Sequence, residues 1–215
     1  VVHHLIEEGW DDIVGLEKSA IPTDIGSTSH ASDFCYMTTH DKLNVFTSTY
    51  SREFYKKRGN YIEIGGMEVA RKDDDERMLE LIRKVGSGKA FGTNAHMISA
   101  AEAKEKFPLL EESEIQGALW DPDAGLVTPR SQKVAGDLVD EAVASGKLKA
   151  FAYTPATKIL VEDGVAVGVE TPKGTIMADY LVLCAGIWGS LVSNTADVKL
   201  PLLPLEHPLL LFGPW

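Results

Sequence analysis

At 215 residues, with 44% hydrophobic and 25% charged residues, the chain has the composition of an ordinary folded protein with room for one large domain or two smaller ones. A net charge of −11, spread along the chain and not gathered in a tail, argues against a nucleic-acid or anionic-membrane surface. There is no apolar run of the roughly 18 residues a span requires and no basic-then-apolar leader, so neither a membrane span nor a signal peptide is expected.

The opening VVHHLIEEG puts Val1, Val2, Leu5 and Ile6 on one helical face, and Gly9 suits the left-handed residue that ends a helix. DIVGLEK follows as a short buried strand closing on Glu17 and Lys18. Helix then strand is half of a βαβ unit, so a preceding strand and glycine-rich turn are expected before Val1, and the chain is expected to begin inside that motif. Residues 26–31, GSTSHA, form a turn of small hydroxylated residues around one imidazole, His30. From Asp41 to about Lys57 the pattern suits a helix, and NYIEIGGMEVARK reads as two strands meeting at Gly65 and Gly66.

DDDERMLELIRKV carries acids at its start and Arg83 and Lys84 near its end, the charge order a helix macrodipole favours. The acid run from Asp73 to Glu76 is therefore assigned to a solvated helix start and not to a cation site. SAAEAKEKFP begins with a capping box, Ser99 with Glu102, and Pro108 ends it. In GLVTPRSQKVAGDLVDEAVASG, Pro129 marks a helix start, Gly146 its end, and Val134, Leu138, Val139 and Ala142 an apolar stripe. Short strands follow: one near 150–153, a hairpin through EDG, a turn at PKG, and the apolar run YLVLCAG read as a buried strand.

Several residues in this frame suggest chemistry. An acid closing the second strand of a dinucleotide-binding fold accepts hydrogen bonds from ribose hydroxyls, which marks Glu17. A strand stopping at Ala-Gly lets backbone approach a ligand closely, which marks Gly186. Cys35 and Cys184 lack disulfide or zinc spacing and read as reduced thiols of a reducing compartment. His3, His4, His40 and His96 have no ligand spacing, so no metal is expected.

The stretches GLEKSAIPTDIGSTSHA, IGGMEVA, GALWDPDAGLVTPR, LVLCAGIWG and PLLPLEH resemble, in the same order, those of dimethylglycine dehydrogenases and oxidases and of sarcosine dehydrogenases, flavoproteins of the D-amino-acid-oxidase type. The resemblance implies an α/β fold in which a Rossmann-like FAD-binding domain is interleaved with an antiparallel-sheet substrate domain. Both would be incomplete here: residues 1–60 and 125–195 would belong to the FAD domain, without its first strand, and 61–124 with 196–215 to substrate-domain portions.

Carried over residue by residue, the resemblance makes His30 the site of a covalent bond from imidazole to the flavin 8α carbon, and Ser27, Thr28 and Ser29 contacts of the pyrophosphate and ribityl chain. Glu17 and Lys18 match the adenosine-ribose pair, Ala156 an adenine-side backbone contact, Gly186 and Trp188 the cofactor-facing turn, and His207 the active-site histidine that orients or adjusts the substrate amine. Relatives commonly follow His-Ala with Pro-Gly or Ala-Gly, where this chain has Ser32 and Asp33.

The implied activity is FAD-dependent oxidative N-demethylation of dimethylglycine or sarcosine. Hydride would pass from the N-methyl group to flavin, giving formaldehyde and the demethylated amine. Electrons would continue to an electron-transfer flavoprotein or dioxygen, in the cytoplasm or, in a eukaryote, the mitochondrial matrix. The alternatives are a non-catalytic regulatory relative of the same family, or a flavin oxidase of another N-methyl or D-amino acid.

Overall fold

The computed structural model describes residues 1–206. In chain order the elements are α1 (Val2–Glu7), β1 (Ile13–Leu16), α2 (Ser27–His30), β2 (Phe34–Cys35), α3 (Lys42–Lys57), β3 (Tyr61–Glu63), β4 (Gly66–Arg71) and α4 (Asp75–Ala90). There follow β5 (His96–Ile98), α5 (Ala100–Lys106), β6 (Ile115–Asp121), β7 (Gly125–Val127), α6 (Ser131–Ala144), β8 (Leu148–Phe151), β9 (Lys158–Glu162), β10 (Val165–Thr171), β11 (Gly174–Met177) and α7 (Gly189–Ser193). Contacts divide the chain into two units, Val1–Ser32 with Ser131–Trp215, and Asp33–Arg130. Residues 33–60 and 125–130, expected with the cofactor domain, thus group with the second unit, because β2 and β3 both pair with β7.

In the first unit β1 runs parallel to β8, with Ile13 opposite Leu148 and Leu16 opposite Phe151. The helix joining them at the end of the crossover, α6, buries Val134, Gly136 and Ala142, and packs on α1 and β8. It starts at Ser131, two residues later than the expected Pro129 start. Gly146, past its end, has φ +74° as the sequence suggests. β9, β10 and β11 form an antiparallel meander whose first turn, Asp163–Gly164, has positive φ at both residues, the hairpin geometry EDG announces.

Two expectations fail here for one reason. β1 is half-buried at best, with Val14 exposed, and Tyr180–Ala185 adopts no strand, leaving Tyr180 73% and Val182 62% exposed. A buried parallel strand needs neighbours on both edges. Among the described residues β1 has β8 alone, and the YLVLCAG run has no pairing partner.

The second unit is built on the antiparallel sheet β4-β6-β5, whose central strand β6 is covered on both faces. Leu119 packs with Ala70, Leu81, Val85 and Ala95 toward α4, while Ala118 packs with Ile98, Ala103 and Ile115 toward α5. The predicted Ser99–Glu102 box is closed in both directions, and two further helices are capped by residues not marked in the sequence as caps: Asp41 accepts from Asn44 N at 2.8 Å and Asp74 from Arg77 N at 2.9 Å.

The two strands of NYIEIGGMEVARK do exist, but they enter different sheets, β3 against β7 and β4 against β6. The break falls at Gly65, with φ +75° and a position where an added Cβ would sit 2.1 Å from the Trp120 ring.

Charge is buried where β4 meets α4. Glu68, 14% exposed at its side chain, pairs with Lys84 and Arg77. Burial opposes its ionisation, yet the Lys84 ammonium and the Arg77 guanidinium outweigh burial and hold its carboxyl below the ordinary 4.5. A carboxylate with a lowered folded-state pKa contributes stability that is present above the unfolded value and lost as pH falls through the folded one.

Denaturant midpoints of the wild-type protein are therefore expected to drop as pH falls below 4.5, and Glu68→Gln to flatten that decline; identical slopes for the two proteins would refute the assignment. Gly65→Ala is expected to cost about 1–3 kcal/mol more than Gly59→Ala, since Gly59 shares the positive φ but faces open space. Equal losses in thermal unfolding would remove the Trp120 clash from the account.

Candidate functional site

The site is assembled in the first unit, beyond the carboxyl ends of the parallel pair β1 and β8, where ligands bind in open α/β sheets. The ladder continues past the strands: Glu17 N donates to Phe151 O at 3.0 Å, Thr154 N to Glu17 O at 2.8 Å and Tyr153 N to Ser19 O at 2.8 Å. This lays the segment 152–157, with the half-buried Ala156, alongside Glu17–Ser19.

Glu17 is half-buried and folded onto its own turn, Oε1 accepting from Ser19 N at 2.9 Å and from Ser19 Oγ at 3.2 Å. Its other oxygen makes no hydrogen bond among the described residues. Ser19 Oγ continues to Thr23 Oγ1 at 2.9 Å, and Gln132 of α6 donates to Thr23 O at 2.8 Å, so the turn is tied to the helix behind it.

Lys18 is exposed at the same strand end, with Nζ 3.2 Å from the centroid of the Trp188 ring. Trp188 closes the 3-10 turn that begins at Gly186, which has φ +51° and open space where a Cβ would stand. Fold geometry thus joins Glu17, Lys18, Gly186 and Trp188 from two distant stretches and lays the Ala156 segment beside them.

Sequence reasoning missed two supports of this cluster. Thr154 is buried, and its hydroxyl donates to Ala152 O at 2.9 Å and accepts from Lys173 Nζ at 2.8 Å. Lys173 sits in the PKG turn between β10 and β11, and nothing local to it signals that reach.

Ser27, Thr28, Ser29 and His30 have a separate support, because GSTSHA forms one helical turn, α2, packed on α6. Gly26 O accepts from Ser29 Oγ at 2.8 Å and lies 3.1 Å from His30 Nδ1; Ser29 Oγ lies 3.0 Å from the same nitrogen. A carbonyl only accepts, so the Gly26 contact suits hydrogen on Nδ1, and in a neutral ring so oriented the lone pair stands on Nε2. His207 lies outside the described residues.

Chemically, the cluster offers a carboxylate oxygen for paired hydroxyls, a lysine for phosphate, and side-chain-free backbone at Gly186. Those are the acceptor, donor and clearance that the adenosine end of FAD would use, and His30 Nε2, in a neutral ring bonded through Nδ1, would fit a nucleophile toward its flavin end. Among the described residues no group of three His, Cys, Asp or Glu side chains could hold a metal ion, and no helix is long and apolar enough to cross a membrane.

The family model of the FAD dependent oxidoreductases, DAO, matches residues 1–215. The chain belongs to the DAO family. Among DAO relatives, it is 30% identical to the mitochondrial pyruvate dehydrogenase phosphatase regulatory subunit of Mus musculus, with 100% of this chain and 25% of that protein covered. It is 30% identical to the mitochondrial sarcosine dehydrogenase of Homo sapiens, over 96% of this chain and 23% of that one. Among solved structures, L-proline dehydrogenase from P. horikoshii superposes with a TM-score of 0.80 at 27% identity, covering 92% of this chain and 52% of that chain. The DAO chain in hand thus spans about a quarter of the curated relatives it matches.

Proposed function

We propose that the protein binds FAD at the β1/β8 strand ends and catalyses oxidative N-demethylation of a small N-methyl amino acid, sarcosine or dimethylglycine. The observation that carries this reading is the meeting of Glu17, Lys18 and Trp188 beyond a parallel strand pair, in a chain that matches the DAO family over its whole length. Bound there, FAD supplies the two-electron acceptor for oxidation of the carbon–nitrogen bond. The identity to human sarcosine dehydrogenase and the stretches shared with dimethylglycine dehydrogenases support the substrate class.

In this reading Glu17 Oε2 accepts from the adenosine ribose hydroxyls, the Gly186 turn admits cofactor against its backbone, and Ser27 to Ser29 contact the pyrophosphate and ribityl chain. His30 would tether the flavin through Nε2, the nitrogen left open when Nδ1 bonds Gly26 O. His207 holds the substrate amine neutral and oriented, because a protonated nitrogen cannot supply electron density as its methyl group loses hydride.

A second reading, a regulatory protein without turnover, is favoured by the 30% identity to the phosphatase regulatory subunit across the entire chain. One purification separates the two. Protein of natural length is expected to be yellow, to keep its colour in an acid precipitate, and to lose that retention in His30→Ala. Flavin released by acid from the unaltered protein would overturn the tether alone, and protein without flavin would leave the regulatory reading standing.

Formaldehyde release from sarcosine or dimethylglycine, against pyruvate and ammonia from D-alanine, then identifies the substrate class, while oxygen consumption against dye reduction identifies the acceptor. His207→Gln is expected to lower turnover about 10²-fold, within the usual contribution of a proton-handling group; unchanged turnover would remove it from the mechanism.

A further inference from the structure

Lys18 and Trp188 were separate candidates in sequence, and their contact has its own consequence. The two sides of it are unequal. Lys18 is an exposed lysine, one of the side chains richest in rotamers, so holding it against an anion costs entropy at each binding event. Trp188 is half-buried on a restrained backbone: its backbone N–H donates to Ala185 O at 3.0 Å, and the next residue, Gly189, is buried, with its Cβ position 3.5 Å and 3.6 Å from Leu202 and Leu200.

An aromatic face carried on this restrained backbone, with the ammonium 3.2 Å from its centroid, favours one placement of the lysine before any ligand arrives. Stacked in this way, the ammonium keeps N–H groups free for phosphate oxygens. Glu17, the neighbouring acid, forms no ion pair with Lys18 among the described residues, and its Oε1 is turned onto Ser19.

We propose that Trp188 is a positioning residue that pre-orders Lys18 toward the phosphates of the bound nucleotide. The inference rests on the cofactor reading of this strand end and adds a residue that acts through another. It requires that Trp188 matter for a phosphate-bearing ligand and not for the nucleoside, and only while Lys18 is present.

The experiment is a double-mutant cycle in protein of natural length, read as equilibrium dissociation constants for ADP and for adenosine. All proteins carry His30→Ala and are freed of flavin, so that the site is open to the probes. Trp188→Leu is expected to weaken ADP binding about two- to fivefold, the usual scale of an exposed cation–π contact. It should leave adenosine binding unchanged and have no effect on ADP in a Lys18→Met background.

Trp188→Tyr, which keeps an aromatic face, is expected to retain most of the ADP affinity and serves if the leucine variant misfolds. The inference is overturned if Trp188→Leu binds ADP normally, if it weakens ADP and adenosine alike, or if its effect persists without Lys18. Failure of the parent protein to bind ADP at all would overturn the cofactor reading, and this inference with it.

Discussion

The pairing of β1 with β8 is the constraint on which the rest of the first unit depends. Four residues of each strand run parallel, and only a parallel arrangement puts both carboxyl ends at the same edge, so that one strand's closing residues lie beside the other's exit loop. Glu17, Lys18 and Ser19 owe their neighbours at 153–156 to that geometry. Gly15 belongs to the same constraint, since a Cβ there would stand 3.3 Å from Leu148 across the pair. A parallel pair requires a crossover, and here the crossover carries the entire second unit before α6 brings the chain back.

That insertion is tolerable because its ends are joined. Val127 N donates to Asp33 O at 2.8 Å, β2 pairs with β7, and Arg130 Nε bonds Asp33 Oδ2 at 3.3 Å. The unit leaves and re-enters the chain at one neck, so closing β1 on β8 is entropically like closing a short loop. Just inside the neck, Asp121 is fully buried, and its carboxylate accepts from Met37 N at 3.2 Å and Asp123 N at 3.3 Å, holding the β6–β7 turn. From there Asp123 accepts from Asn94 at 2.7 Å and Arg52 at 3.0 Å, which extends the restraint to α3.

Legibility in the sequence followed how local the determining physics is. α3 announced itself through its apolar and polar pattern, α4 through charge order and α5 through its capping box, signals that act within a few turns, and Ser99 makes the bonds its box promised. β5, β6 and β7 gave no strand signal. β6, IQGALWD, is apolar toward α4 and α5 alike and has no alternation to read, while β5 and β7 are three residues each. YLVLCAG erred in the opposite sense: the run has strand composition, but strand structure belongs to a pair. In the site, Glu17 was legible as a strand-end acid and His30 through family resemblance, whereas the Nδ1 bond to Gly26 and the reach of Lys173 to Thr154 exist only once the backbone is placed.

The exposure of the candidate ligands has a consequence for how a cofactor would be held. Lys18 and His30 are exposed and Glu17 only half-buried, so each polar contact would compete with water and contribute little by itself. Affinity at such a site has two remaining sources, ordering the contacts beforehand and making the association intramolecular. On the cofactor reading, the Lys18–Trp188 contact would be of the first kind. A covalent bond at His30 is of the second, because a tethered ligand meets weak contacts at an effective concentration that free solution does not reach. On the flavin reading, the contacts that orient the ring through Nδ1 would leave Nε2 as the nitrogen available to such a tether.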